Sequence, residues 1–446
     1  MARCIAVPSI SAIAIVLASG VIAKAQKVPE ATTVNSPSYI NDSYADRMRG
    51  VAARIQSSAI FQPLGDLPGG DVLSVATGVS VDGAVIVGQS GSDGSGYEAF
   101  RWTETGGMVG LGDLFGSPMM VDSSGNDVSA DGSVVVGQAL SAVTLTGQAY
   151  RWTQATGMVG LGDLPGGSEL SSAYAVSADG LVIVGYGNSA SGEEAFRWTE
   201  SEGMVALGDL PGGDFRSGAS GVSDDGSVVV GSSEIDETLL EHFFEAFRWT
   251  ESEGMVGLGD LPGGSFHSKA SAVSADGSVV VGFGTSASGQ EAFRWTEEEG
   301  MVGLGDFPGG VFRSAAGSVS ADGSIVLGYG YSDSGLQTFI WDHVRGMRNL
   351  SDILVNHLGL DLTGWTGIHV GGLSTDGRVI IGDGTNPSGD TEAWRIVLPC
   401  DAHIEGCLGP AIPAVSEWGI VAMTLLVLTA GSLVLARRRC APRVAG

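Results

Sequence analysis

Positive charge is scarce in this sequence: 22 Lys and Arg stand against 50 Asp and Glu among 446 residues, a formal net charge of -28 at pH 7. Six of the cations (Arg3, Lys24, Arg437, Arg438, Arg439 and Arg443) lie in the terminal segments, so the interior is more acidic still. This excludes nucleic acid and anionic membrane surfaces as partners, because both reward basic patches through counterion release. The chain is too apolar for disorder, with 16% charged residues, and its 71 glycines follow no collagen period; they serve the turns of a folded, strand-rich chain. Catalytic signatures are missing too. There is no His-Glu-x-x-His, no Gly-x-Ser-x-Gly opening a helix and no phosphate-cradling glycine loop. The six His residues (His242, His267, His343, His357, His369 and His403) are scattered, which leaves only an acid pair assembled by the fold itself as a route to catalysis.

Cysteine is nearly absent, and the four present sit at the ends. The first 25 residues read as a secretory signal peptide: Arg3, an apolar stretch through Leu17 and Ile22, then Ala23-Lys24-Ala25 as a small-x-small cleavage site. Cys4 leaves with it, and 26–58 is a polar linker. Near the other end, 419–436 is an uncharged apolar run long enough to span a bilayer, followed at once by Arg437 to Arg439. Positive residues stay inside, so everything before Trp418 is expected outside the cytoplasm, with Cys440 beyond the span. Cys400 and Cys407, in the linker 400–411, then face an oxidising compartment. A small disulfide loop is the favoured reading, and His403 between them completes no trusted zinc pattern.

Between these ends one sentence is written repeatedly. "VSADGSVVVG" at Val128 recurs from Val79, Val176, Val222, Val273, Val319 and Leu373, seven copies in all. "EAFRWT" or a variant places Trp at 102, 152, 198, 249, 295, 341 and 394, and "GMVGLGDLPGG" supplies the third phrase. Asp-Gly is a strong hairpin signal, expected as a two-residue type I′ turn. The unbroken Val run after it suits a strand buried on both faces. "EAFRWT" and "GMVGLGDL" make two more strands. Four antiparallel strands repeated seven times predict an all-β, seven-bladed β-propeller over 59–399. The last repeat lacks its fourth strand, whereas "FQPLGDL" from Phe61 has no repeat of its own, so the N-terminal strand is expected to close the ring.

These phrases resemble the bacterial extracellular HAF repeats, over roughly Leu64 to Leu398. The tail over 412–446, "IPAVSEWGIVAMTLLVLTAGSLVLARRR", resembles PEP-CTERM-like sorting signals of the Ile-Pro-Thr-Leu type, departing at Ala414-Val415. The resemblance implies export, recognition by a sorting protease of the exosortase or archaeosortase type, and either anchoring through the C-terminal helix or release at the cell surface. It assigns no activity.

Candidate sites follow from the repeat. The Trp residues are expected as wedges between neighbouring blades, so that Trp198→Ala costs roughly 3 to 5 kcal/mol. Glu194 and Arg197, Glu245 and Arg248, and Glu291 and Arg294 point to opposite faces of their strand, which excludes a dyad within one strand and leaves structural pairing with an adjacent blade. The Asp of Leu-Gly-Asp (Asp66, Asp113, Asp163, Asp209, Asp260, Asp306) is weighed as a weak Ca²⁺ ligand against acceptance of hydrogen bonds from its own turn; no other cofactor is expected. The irregular loops that follow each Pro-Gly-Gly are the better place for function. There Phe215-Arg216, Phe266-His267 and Phe312-Arg313 put an aromatic beside a cation or potential cation, and they are the ligand-face candidates. The expected function is a structural or adhesion module at the cell envelope or in the extracellular matrix, binding glycan, matrix polymer or protein. The alternative is a secreted polysaccharide hydrolase or lyase.

Overall fold

The computed structural model describes residues 59–92, 96–114, 122–140, 146–238 and 241–398, within the compact unit 57–446. The signal segment, the linker 26–58, Cys400, Cys407 and the apolar run 419–436 lie outside the described residues. Among the described residues, no helix is long and apolar enough to cross a membrane.

Each repeat folds as a four-stranded antiparallel meander. Over 166–208 the strands are Gly166–Val176, Ile183–Ser189, Glu193–Thr199 and Gly203–Gly208. Among the described residues, five such sheets stand separately, and eight further strands form two meanders joined by one parallel contact, Leu73 to Thr391. The first strands are Gly69–Val79, Ser123–Val128, Gly166–Val176, Ser217–Val222, Gly263–Val273, Ser314–Val319 and Thr366–Leu373; each packs against the next, and the last against the first. They enclose a central channel of about 240 Å³. The architecture is thus an all-β propeller. Ile60–Gly65 pairs antiparallel with the last strand, Thr391–Val397, with Phe61 opposite Ile396 and Pro63 opposite Trp394, so the two ends of the described chain meet in one sheet, as the offset of the repeat requires.

The Val runs explain how sheets stack. Val135 packs with Tyr150 and Trp152 against Val85, Val87 and Ala99 of the preceding sheet, whereas Val134 and Val136 pack against Ile183 and Phe196 of the following one. The glycine that ends each run is required by close approach: a Cβ at Gly282 would collide with the carbonyl oxygen of Lys269 and with Ala270. The first strand bulges there, between Ala270 and Ala272.

Three expectations need correction. First, the Trp residues do pack between neighbouring sheets, Trp102 and Trp152 buried and Trp198, Trp249, Trp295 and Trp341 half-buried, but the deepest burial falls on the Phe column: Phe100, Tyr150, Phe196, Phe247, Phe293 and Phe339 are all 0% exposed. Trp394 belongs to the Phe column, opposite Gly382 as Phe247 is opposite Gly231, and Ile396 takes the Trp place. Second, Asp-Gly does not form a two-residue hairpin. Ser129 to Ser133 make a five-residue loop in which Gly132 N–H donates to Ser129 O (2.9 Å), the Ser129 hydroxyl bonds Asp131 (2.8 Å), and Val134 N–H donates to Ser129 Oγ (3.0 Å). Side-chain oxygens close the loop, so only Gly132, at φ 70°, needs the left-handed region. These loops also bond to one another, with Ala130 N–H reaching Ala178 O (3.0 Å) and Ala178 N–H reaching Asp224 O (3.0 Å). Third, Arg197, Arg248 and Arg294 pair with Glu202, Glu253 and Glu299 of their own sheet at 3.2–3.6 Å, not with acids of a neighbour; the following turn simply brings that Glu back beside the Arg.

One serine per first strand pins each sheet to the one before it. Ser217 Oγ accepts from Ala195 N–H (3.0 Å) and donates to Gly208 O (2.8 Å). Ser74, Ser123, Ser171, Ser268 and Ser314 repeat both bonds. The junction into Thr366–Leu373 is the exception. Ile368 stands where the serine would be, and Thr338 Oγ1 donates to its carbonyl instead (2.8 Å). The long segment ahead of that strand contributes Leu350, Ile353, Leu354 and Leu360 to the core, and Trp365 meets Phe61 edge-on at 4.9 Å.

Phe196→Ala should therefore cost about 3–5 kcal/mol, and Trp198→Ala measurably less, in denaturant melts of the full chain. Ser217→Ala leaves a buried N–H and a carbonyl unpaired, and about 1–3 kcal/mol is expected.

Candidate functional site

The repeated Asp turns a structural phrase into a loop-positioning device. Asp260 Oδ1 accepts from Leu261 N–H (2.8 Å) and Oδ2 from His267 N–H (2.7 Å), seven residues along. Asp209 holds Leu210 and Arg216 in the same way (both 3.1 Å), and Asp306 holds Phe307 and Arg313 (2.8 and 2.6 Å). Asp163 accepts from Leu164 N–H (2.9 Å). Asp209, Asp260 and Asp306 thus fix the backbone at Arg216, His267 and Arg313 in the loops that follow Pro-Gly-Gly, which accords with the turn-acceptor reading. No group of three His, Cys, Asp or Glu able to hold a metal ion occurs among the described residues.

The clamped loops bring some candidates together. Arg216 lies over the Phe244 ring (5.5 Å), and His267 stands edge-on to the same ring at 6.0 Å, with Phe283 beyond it at 5.9 Å. Lys269 completes the group, its ammonium 4.0 Å from the Phe244 centroid. Arg313, on the next sheet, lies over Tyr331 at 5.8 Å. Phe215 and Phe266 are 51% and 45% exposed and stack on none of these cations, whereas Phe312 is half-buried. Arg216 also approaches Glu193 (3.9 Å) and the buried Glu234 (4.0 Å).

Phe244 and Lys269 were not singled out in the sequence. Phe244 enters because Val228–Thr238 and Glu241–Thr250 form an unusually long hairpin that carries its ring over the neighbouring first strand. The available signal for Lys269 was a long cation in the column otherwise held by Val75, Ser124, Ser172, Gly218, Ala315 and His369. Burial pushes the Lys269 ammonium down, helped by the nearby Arg216 and opposed by Glu193. His267 is also pushed down, by burial and then by Lys269, and its Nδ1 accepts from Phe244 N–H (3.4 Å), so the ring is neutral at pH 7.

Two further features break the repetition. Where the serine pin is lost, a mostly apolar cavity of about 290 Å³ is lined by Tyr329, Leu336, Thr338, Ile368, His369 and Val370, and His369 Nδ1 is 3.3 Å from Asp383. On the channel wall, Asp127 occupies a place that other first strands give to small residues. It accepts from Val128 N–H (2.8 Å) and, across sheets, from Val176 N–H (2.9 Å). Desolvation outweighs these bonds and raises its pKa to about 6.

No protein-family model and no curated protein matches this chain. Among solved structures it is similar to the putative TolB from Agrobacterium tumefaciens (16% identity, 61% of this chain and 89% of that one, TM-score 0.35) and TolB from Acinetobacter baumannii (13%, 69% and 69%, 0.37). It is also similar to the β-propeller domain of the Trilobed protease from Pyrococcus furiosus, described as having an open velcro topology (12%, 78% and 99%, 0.45). Likenesses this weak say nothing of ligand or activity, and the architecture rests on the strand pairing itself.

Between about pH 4 and 6 the folded Asp127 retains a proton that an unfolded Asp, at 3.8, has lost, so its contribution to stability falls as pH rises through that window. The melting temperature should rise on acidification from pH 7 to 5, and Asp127→Asn should show a smaller rise; an equal rise in both proteins refutes the assignment.

Proposed function

We propose that the chain is an exported, seven-bladed propeller acting as an interaction module at the cell envelope or in the extracellular matrix, with its ligand face on the loops that follow each Pro-Gly-Gly. The blade count is supported by seven copies of the Asp-Gly phrase and by the closed circuit of first strands. The observation that carries the binding reading is the Asp clamp. It fixes Arg216, His267 and Arg313 at the same step of three adjacent sheets, with aromatic rings beside them. Preorganised loops lose little conformational freedom on binding, which favours recognition over simple scaffolding. Export is supported by the signal-like start and the sorting-like tail. In this reading Cys400 and Cys407 close a disulfide, a sorting protease of the exosortase or archaeosortase type recognises the tail, and the ligand is a glycan, matrix polymer or protein. Ca²⁺ finds little support at Asp209, Asp260 and Asp306, because both carboxylate oxygens of each already accept backbone N–H groups.

A secreted polysaccharide hydrolase or lyase is the second reading, favoured by one observation, the His369–Asp383 pair beside the cavity at the junction that lacks the serine. Among the described residues no carboxylate lines that cavity itself, so the binding reading is preferred.

In a polymer and protein binding screen of the full chain, a ligand should be retained with chelator present and weakened at least tenfold by combined Phe215→Ala, Phe266→Ala and Phe312→Ala substitution without loss of folding. Unchanged binding would overturn the assigned face, and turnover of a polysaccharide abolished by His369→Ala would favour the enzyme.

A further inference from the structure

We infer that the ligand on this face is an acidic polysaccharide, its uronate-type carboxylates meeting Lys269 and Arg313 on adjacent sheets while Phe244 and the exposed Phe266 offer rings to the sugar. This rests on the binding reading above and adds the ligand class.

Among the described residues, neither Lys269 nor Arg313 forms a salt bridge with any carboxylate; their close partners are the rings of Phe244 and Tyr331. In a chain with 50 acids to 22 bases, two cations on adjacent sheets with no salt bridge to a carboxylate among the described residues are unexpected. The strand arginines show the ordinary arrangement: Arg197, Arg248 and Arg294 lie toward the Asp-Gly loops and each has a Glu. Half-burial weakens the hydration of Lys269 and nearby Arg216 repels it, while Glu193 acts only through space with no salt bridge, so an incoming carboxylate would supply the direct partner.

The surroundings select among anions. Sugars present flat C–H faces that pack on aromatic rings, and here rings lie directly beside the cations. Arg216, Lys269 and Arg313 stand on three consecutive sheets, which suits a polymer with several charges better than a lone small anion. An acidic peptide is less well matched, because the N–H groups of Arg216, His267 and Arg313 that could pair with its backbone are taken by Asp209, Asp260 and Asp306. Arg216 is already approached by Glu193 and Glu234, so the site centres on Lys269 and Arg313.

The test is calorimetric titration of the full chain with polygalacturonate, dextran and polyglutamate at low and high salt. Polygalacturonate should bind, weaken with salt, and lose about tenfold or more in affinity in the Lys269→Gln, Arg313→Gln double variant. Arg197→Gln, at the opposite end, should bind normally, and all variants should melt like the parent. Polygalacturonate binding that ignores the double variant refutes the site. Dextran binding lost on Phe215→Ala and Phe266→Ala would keep the face but refute the acidic class. Polyglutamate binding as tightly, with the same sensitivity, would refute the glycan assignment. Absence of binding to all three overturns this inference, while the face itself stands or falls on the broader screen.

Discussion

A buried serine hydroxyl, shared between an N–H and a carbonyl of the preceding sheet, is the contact on which the rest of this propeller depends. A sheet whose first strand bulges at a glycine leaves polar backbone groups near the neighbouring sheet, and in a dry interface each would be costly unpaired. Ser217 meets that need at Ala195 and Gly208, and its counterparts do so at five more junctions. With that pin in place, Val and Phe side chains meet at a repeatable distance and the same phrase can serve sheet after sheet. Where Ile368 replaces the serine, the interface opens into a cavity and the chain adds a short helical segment packed beside Trp365.

The second constraint joins scaffold to function. The acid of Leu-Gly-Asp looks like turn furniture, and its carboxylate is in fact occupied by backbone N–H groups. One of those groups belongs to the Arg or His displayed on the loop face. An invariant brick therefore holds a variable surface, and variation among the loops carries little cost to the fold because the clamp is backbone-directed.

Much of the architecture was legible in the sequence because it is periodic. The Val runs, the Gly that follows them and the stray "FQPLGDL" strand led to four-stranded sheets and to pairing between the ends of the described chain. Misreadings arose where local rules ignored side-chain chemistry. Asp-Gly suggested a tight hairpin, but the Ser129 hydroxyl and Asp131 carboxylate close a wider loop. Trp394 was aligned by residue type, whereas its register opposite Gly382 puts it in the Phe column.

The candidate site was only half legible. The sequence by itself determined the strand pattern, the repeat and the loops that differ, since these follow from residue spacing and turn chemistry within about fifty residues. Only the tertiary structure decided that Arg216, Phe244, His267 and Lys269 share one ring, because they come from different sheets and meet through an extended hairpin. It alone also decided that, among the described residues, Lys269 and Arg313 form no salt bridge, since charge pairing depends on distances that spacing does not encode.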